Sequence, residues 1–204
     1  MSLHRPNRAH YSLRRLTRGT PRIQSGLMGS QLLVVVMGIT GVGKSAVGHE
    51  LADRVGVEYA DGDDFHSEAN IHKMASGHPL TDGDRWPWLH AIGGWLAEHE
   101  EAGGVISCSA LRRVYRDKLV EAAPHTAFLH LYGDHDLIRS RIENRKDHFM
   151  PASLLASQEA TLEPLEADEN GFAFDITPSV AEIVDAFLLK VGVRKAGIAG
   201  EYPS

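Results

Sequence analysis

The stretch Gly38-Ile39-Thr40-Gly41-Val42-Gly43-Lys44-Ser45 has the phosphate-loop spacing G-x-x-x-x-G-K-[ST]. Glycines let a backbone turn tightly against a ligand, and a helix starting at the end of the turn aims successive N–H groups at one point. Gly38, Thr40, Gly41, Val42, Gly43 and Ala46 are therefore candidate backbone contacts to a polyphosphate. Lys44 is the cation that reaches its β- and γ-phosphates, and Ser45 is a hydroxyl ligand for Mg²⁺. A Gly-rich structural turn is the competing reading. The apolar run Leu32 to Met37 before the loop and the helical spacing after it favour a nucleotide.

A second group with chemical potential is Asp61-Gly62-Asp63-Asp64. Asp61 and Asp63, two apart on an extended segment, place both carboxylates on one face at a strand edge. Phosphoryl transfer needs such a carboxylate to orient or deprotonate an acceptor hydroxyl, while capping of the following helix is the plainer use. Asp64 reads as solvated or capping. His residues form no tight metal-ligand array, so Mg²⁺ is the only metal expected. Cys108, the single cysteine, lies in a buried apolar run and reads as packing; one thiol excludes an internal disulfide and agrees with a reducing, cytoplasmic setting.

The elements that must hold these residues alternate. After the run at 32–37, Val47, Leu51 and Val55 share one helical face, with Gly56 as a stop. Strand-like stretches follow at Val57 to Ala60, Val105 to Cys108, Ala127 to Tyr132 and Phe172 to Ile176. Between them fall helical stretches: Ser67 to Met74, about Arg85 to Glu101 with Pro87 in its first turn, Leu111 to Ala122, Asp134 to Arg145, and Ser153 to Thr161. Pro178 to Leu189 closes the core. The alternation predicts an α/β fold, a parallel sheet of about five strands with helices on both faces and ligands at the strands' C-terminal ends. The pattern breaks between Lys146 and Pro151, where a mobile loop is expected.

The chain has 204 residues and a net charge of −6, which suits one domain. Its first 27 residues carry six Arg and no acid, so the other 15 basic residues face all 27 acidic ones, a body charge of −12. An acidic body argues against a nucleic-acid partner, and no apolar run approaches the ~20 residues of a membrane span. Residues 1–30 read as a basic, disordered or dispensable extension, with a transit peptide or an upstream start codon as alternatives. Residues 31–204 then form one catalytic domain. A homodimer is compatible with the sequence, which does not specify the oligomeric state.

Four further blocks resemble the gluconate kinase (gluconokinase) family, relatives of shikimate kinase among the P-loop kinases. They are Asp61-Gly62-Asp63 with Phe65-His66; Lys73 to Leu80 leading to Asp82-Gly83-Asp84-Arg85-Trp86-Pro87-Trp88-Leu89; Cys108-Ser109-Ala110-Leu111-Arg112-Arg113-Val114-Tyr115-Arg116-Asp117; and His148-Phe149-Met150-Pro151 with Gln158-Glu159-Ala160-Thr161-Leu162-Glu163. The similarity spans Leu32 to about Leu189 and departs at Ala160, where the family's block suggests an aromatic. The resemblance implies the P-loop kinase fold and ATP-dependent, Mg²⁺-assisted phosphorylation of D-gluconate at its 6-hydroxyl. By analogy with shikimate kinase, Asp63 would hold and deprotonate the acceptor hydroxyl, and Asp61 would stand near the hydrated Mg²⁺.

A sugar acid also needs a cation for its carboxylate, and Arg forks onto a carboxylate where Lys does not. Arg85, Arg112, Arg113 and Arg116 are candidates, the last three placed on adjoining faces of one helix; for each, a surface ion pair competes with substrate contact. Lys73, His66, Ser109 and His148 are further candidate substrate contacts. In the related kinases lid arginines close over ATP. The match implies Arg145 as the charge clamp and Arg141 stacking on adenine opposite Pro178, with Arg139 a solvated residue. Asn144-Arg145-Lys146-Asp147 is not the guanine-reading N-K-x-D, since it has Arg in place of Lys and follows a helix. Kinases of another small hydroxy acid such as shikimate, and a non-catalytic nucleotide-binding switch, are the alternatives.

Overall fold

The computed structural model describes residues 32–144 and 152–192. The basic extension and the segment holding Arg145 and His148 lie outside the described residues. At the centre is β1 (Leu33–Met37), every residue of which is buried. A strand with apolar side chains on both faces suits only the interior of a parallel sheet covered on both sides. The five strands run in the order β2-β3-β1-β4-β5, all parallel, where β2 is Glu58–Asp61, β3 Gly104–Ser107, β4 Ala127–Tyr132 and β5 Gly171–Asp175.

Period-two alternation divides β1 between two cores. Val34 and Val36 pack with Val47 and Leu51 of α1 (Lys44–Val55) and with Val184 and Phe187 of α7 (Val180–Lys190). Leu33, Val35 and Met37 pack on the other face, with Trp88, Ile92 and Leu96 of α3 (Asp82–Glu98) and Tyr115 and Leu119 of α4 (Arg113–Ala122). Since β1 lies between β3 and β4, chains leave it toward opposite sides, and the crevice at its C-terminal end is where such sheets bind ligands. The remaining helices are α2 (Glu68–Ala75), α5 (His135–Glu143) and α6 (Ala152–Thr161). No helix of the described residues is long and apolar enough to cross a membrane.

Three local expectations are corrected. The third helix begins at Asp82, not near Arg85, because Thr81 and Asp84 form a reciprocal capping box. Pro87 thus stands inside the helix rather than in its first turn. The fourth helix begins at Arg113; Arg112 is its N-cap, in extended conformation at φ −108°, so the three arginines do not share one helix. Finally, the chain does not stay extended from Asp61 to Asp63. Gly62–Phe65 forms a 3₁₀ turn capped by Asp61, whose Oδ1 accepts the Asp63 N–H at 3.1 Å.

Candidate active site

The phosphate loop turns as its sequence dictates. Gly38 has φ +136°, and a Cβ there would stand 2.4 Å from the Leu131 carbonyl oxygen, so only glycine lets β1 turn against β4. Gly41 and Gly43 also have positive φ. Gly43 is the N-cap of α1 and has no side chain to satisfy the helix's first N–H groups, which leaves them to an anion. The Gly38 N–H is tied to Ser109 O at 3.3 Å, joining the loop to the end of β3. Lys44 Nζ donates to Ile39 O at 3.1 Å, curled over the loop, and the Thr40 N–H donates to Gln158 Oε1 of α6 at 2.7 Å. The Val42 side chain is buried in the core, so only its backbone is available to a ligand; Ala46 is exposed on the first turn of α1.

Asp61, at the C-terminal end of β2, accepts from Ser45 Oγ at 3.1 Å and from Ser107 Oγ at 2.9 Å, and Tyr59 Oη reaches it at 3.3 Å. Burial pushes its carboxyl up, but these donors and the Asp63 N–H outweigh burial and hold it below its ordinary value. A hydroxyl and an ionised carboxylate in contact at the mouth of a phosphate loop suit a hard divalent cation and its waters. Ser45 and Asp61, the expected metal pair, are thus adjacent. Asp61 is also the cap of the next turn, so the capping role and the site role fall on one residue.

Beside the loop is a cavity of about 110 Å³. Thr40, Lys44 and Asp63 line its phosphate side, and His66, Arg85, Trp88, Ser109 and Tyr115 line the remainder with Met74, Leu80, Leu111, Gln158 and Thr161. Trp88 is a fixed wall: its Nε1 donates to Gly62 O at 2.6 Å, and the His66 ring stacks on it at 4.4 Å. Burial lowers the His66 pKa, with Arg85 acting in the same direction and Asp63 against it. Its buried Nδ1 has no partner among the described residues. The cavity therefore has a carboxylate, two cations and an unpaired ring nitrogen, suited to a small polyhydroxy anion.

Several expected substrate contacts are elsewhere. Arg116 is a correction: its side chain is 1% exposed and forks onto buried Glu169. It also donates to the carbonyls of Ala110, Leu111, Glu163 and Pro164, leaving no face for a substrate. Arg113 pairs with Asp117, Glu166 and Asp168 on the outer surface. Lys73 is bound to Asp84 Oδ2 at 2.6 Å, joining α2 to α3, and is not among the cavity-lining residues. Arg112 reaches Asp82 Oδ2 at 2.6 Å, behind Tyr115. Arg85, His66, Ser109 and Asp63 are brought together.

On the nucleotide side, Arg141 NH2 donates to Ile176 O at 3.0 Å, and its NH1 lies 4.0 Å from where a Gly43 Cβ would be. It bridges the phosphate loop and the segment leading to exposed Pro178, the two walls expected to flank a base. Arg139 pairs with Glu143 at the surface. Cys108 is buried and its thiol is pushed up to about 12, chiefly by burial, consistent with a packing role.

Tyr115 and Gln158 are among the cavity residues that local sequence patterns do not single out. Each acts through partners distant in sequence, Asp82 and Arg85 for Tyr115 and Thr40 for Gln158, and no local spacing signals such contacts.

A phosphate loop at the central strand, an acidic residue at the neighbouring strand end and a polar cavity between them define a small-molecule kinase of the P-loop fold. The comparisons agree with that class. No family model matches the chain. Over 139 residues it is 44% identical to the thermoresistant gluconokinase of Escherichia coli, covering 67% of this chain and 79% of that protein. Over 138 residues it is 46% identical to the gluconokinase of Gluconobacter oxydans, covering 67% and 78%. Among solved structures it is similar to an unliganded sugar kinase from Janibacter, with TM-score 0.76, 45% identity and coverage of 81% of this chain and 97% of that one. A gluconokinase from Sinorhizobium meliloti matches at TM-score 0.73 and 46% identity, covering 79% and 91%. The chain belongs to the gluconokinase family.

Proposed function

We propose that the protein transfers the γ-phosphoryl group of ATP to the 6-hydroxyl of D-gluconate, giving 6-phosphogluconate and ADP. The observation that carries this reading is one cavity lined by Lys44, Asp63 and Arg85: a cation for the leaving phosphates, a base for an acceptor hydroxyl and a cation for a carboxylate. The gluconokinase relatives support the same acceptor.

ATP is the phosphoryl donor, and Mg²⁺, when bound, would supply positive charge against its phosphates. The backbone N–H groups of Gly41 to Ser45 hold the phosphates, the Gly38 and Thr40 N–H groups being engaged by Ser109 O and Gln158 Oε1, and Lys44 stabilises the charge that builds on the β–γ bridging oxygen. Ser45 and Asp61 would hold Mg²⁺ and its waters. Arg85 engages the acceptor carboxylate, while His66 and Ser109 accept or donate to its hydroxyls. Asp63 takes the proton of the 6-hydroxyl as that oxygen bonds to the γ-phosphorus and the bridging P–O bond breaks. Arg141 and Pro178 would flank the base. Arg145 and His148, outside the described residues, complete the proposal as lid contacts.

The test is ADP formation by purified protein with ATP and Mg²⁺ across gluconate, shikimate, other sugar acids and nucleoside monophosphates. Turnover with gluconate at the highest kcat/KM supports the reading. Turnover of another acceptor with none of gluconate overturns it. Tight nucleotide binding without turnover of any acceptor would instead favour the switch.

A further inference from the structure

We propose that Tyr115 is a positioning residue that gives the acceptor site its selectivity for a carboxylate by holding Arg85 toward the cavity. The inference rests on the acceptor reading above. Tyr115 is not a bystander in the wall: it is 1% exposed, and its hydroxyl joins two charged partners. It donates to Asp82 Oδ1 and accepts from Arg85 NH1 at 3.1 Å. Asp82 Oδ2 is engaged by Arg112 NH1 at 2.6 Å, whereas Arg85 NH1 comes no nearer to Asp82 than 3.5 Å.

The order of distances decides what Arg85 is free to do. A flexible arginine beside an aspartate would ordinarily close onto it as a short ion pair and present a neutralised face. Here the phenol occupies one carboxylate oxygen and Arg112 the other, so Asp82 is already served. The Tyr115 oxygen takes one Arg85 N–H, and the ring lies within cation–π distance of both guanidiniums, at 5.6 Å for Arg85 and 5.5 Å for Arg112. Trp86 closes the ring's edge at 5.7 Å. Arg85 is therefore held by its surroundings with charge to offer a ligand anion, the preorganisation a buried carboxylate site needs. The phenol stays protonated: burial raises its pKa and the bond to Asp82 raises it further, so donation to Asp82 and acceptance from Arg85 persist together.

The experiment compares wild type, Tyr115→Phe, Arg85→Gln and the double variant, reading KM and kcat for gluconate and ATP. Affinities for gluconate and for glucitol, the uncharged polyol of the same chain length, are measured by calorimetry. Tyr115→Phe keeps the ring and its packing, and a melting curve checks that. Losing a hydrogen bond to a charged group corresponds to roughly a 10- to 100-fold rise in KM for gluconate, with kcat and KM for ATP nearly unchanged. Glucitol affinity is expected not to move, and Tyr115→Phe is expected to add nothing in the Arg85→Gln background. A Tyr115→Phe protein that binds gluconate as wild type while Arg85→Gln is impaired would overturn this inference and leave the acceptor reading standing. Equal losses for gluconate and glucitol, or additive effects in the double variant, would also overturn it. An unimpaired Arg85→Gln would remove Arg85 as the carboxylate partner, and the inference with it.

Discussion

Replacing Arg116 with Met should destabilise the fold rather than weaken its substrate site. Arg116 and Glu169 have side chains 1% and 5% exposed, and the guanidinium contacts both carboxylate oxygens. Glu169 Oε2 also accepts the Glu166 N–H at 2.8 Å, so the pair fastens the 163–169 segment to the start of α4. Removing one partner of a buried pair costs about 3–5 kcal/mol because the other charge is stranded. The carbonyls of Ala110, Glu163 and Pro164 lose a donor as well, while Leu111 O keeps the Glu163 N–H at 2.7 Å. The Glu163 and Pro164 contacts are only part-buried, so water can replace the lost donor there, and the total stays at the top of that range, about 5 kcal/mol. For a domain of this size that corresponds to a fall in Tm of about 10–20 °C. The assay is urea unfolding followed by circular dichroism, with m checked for constancy. Arg116→Met/Glu169→Leu should recover much of the loss, since it removes the stranded carboxylate too. An Arg116→Met protein that melts within ~3 °C of wild type but binds gluconate poorly would refute the reasoning and restore Arg116 to the substrate site.

Asp63→Asn should lower kcat by on the order of 10²-fold or more while ATP affinity is kept; near-normal turnover would show that Asp63 is not the base. Gly38→Ala should abolish measurable ATP binding, since its Cβ would stand 2.4 Å from a backbone oxygen; a variant that binds ATP as wild type would contradict the loop geometry. His130 is 4% exposed, and burial, aided by the Arg116 charge and opposed by Glu169, pushes its pKa down to about 4. The unfolded chain takes up that proton near pH 6.5, so the contribution is whole above that pH and is lost as pH falls toward 4, on the order of 3 kcal/mol. His130→Asn should flatten the urea midpoint across this window, and an unchanged slope would exclude His130 as its source.

What the sequence allowed to be read, and what it did not, divides by the range of the interactions. The phosphate loop and β1 were readable because the requirements are local: glycines at fixed spacing, and a run of apolar residues that fits only a doubly covered strand. For the third helix, Asp84 marks the neighbourhood of the start, but it closes the capping box from the third helical position and not the cap, and Pro87 in a first turn points to a later start than Asp82. The arginines at 112, 113 and 116 were placed by helical periodicity. Their roles are set instead by Asp82, by Asp168 and by Glu169, residues 30 to 55 positions away. Separations of 30 and 33 positions hide the partners of Tyr115, and one of 118 positions hides that of Gln158. Asp63 stands beside the loop by way of a 3₁₀ turn and not by strand alternation, since the Asp61 cap ends the extended segment.

The central claim, phosphoryl transfer from ATP to the primary hydroxyl of gluconate, is tested most directly by phosphorus NMR of the reaction mixture. The expected result, together with ADP, is one new phosphomonoester resonance coupled to two methylene protons, the signature of a phosphate on C6. A resonance split by a single proton would place the phosphate on a secondary hydroxyl, and free phosphate alone would reveal hydrolysis. Either would contradict the assignment.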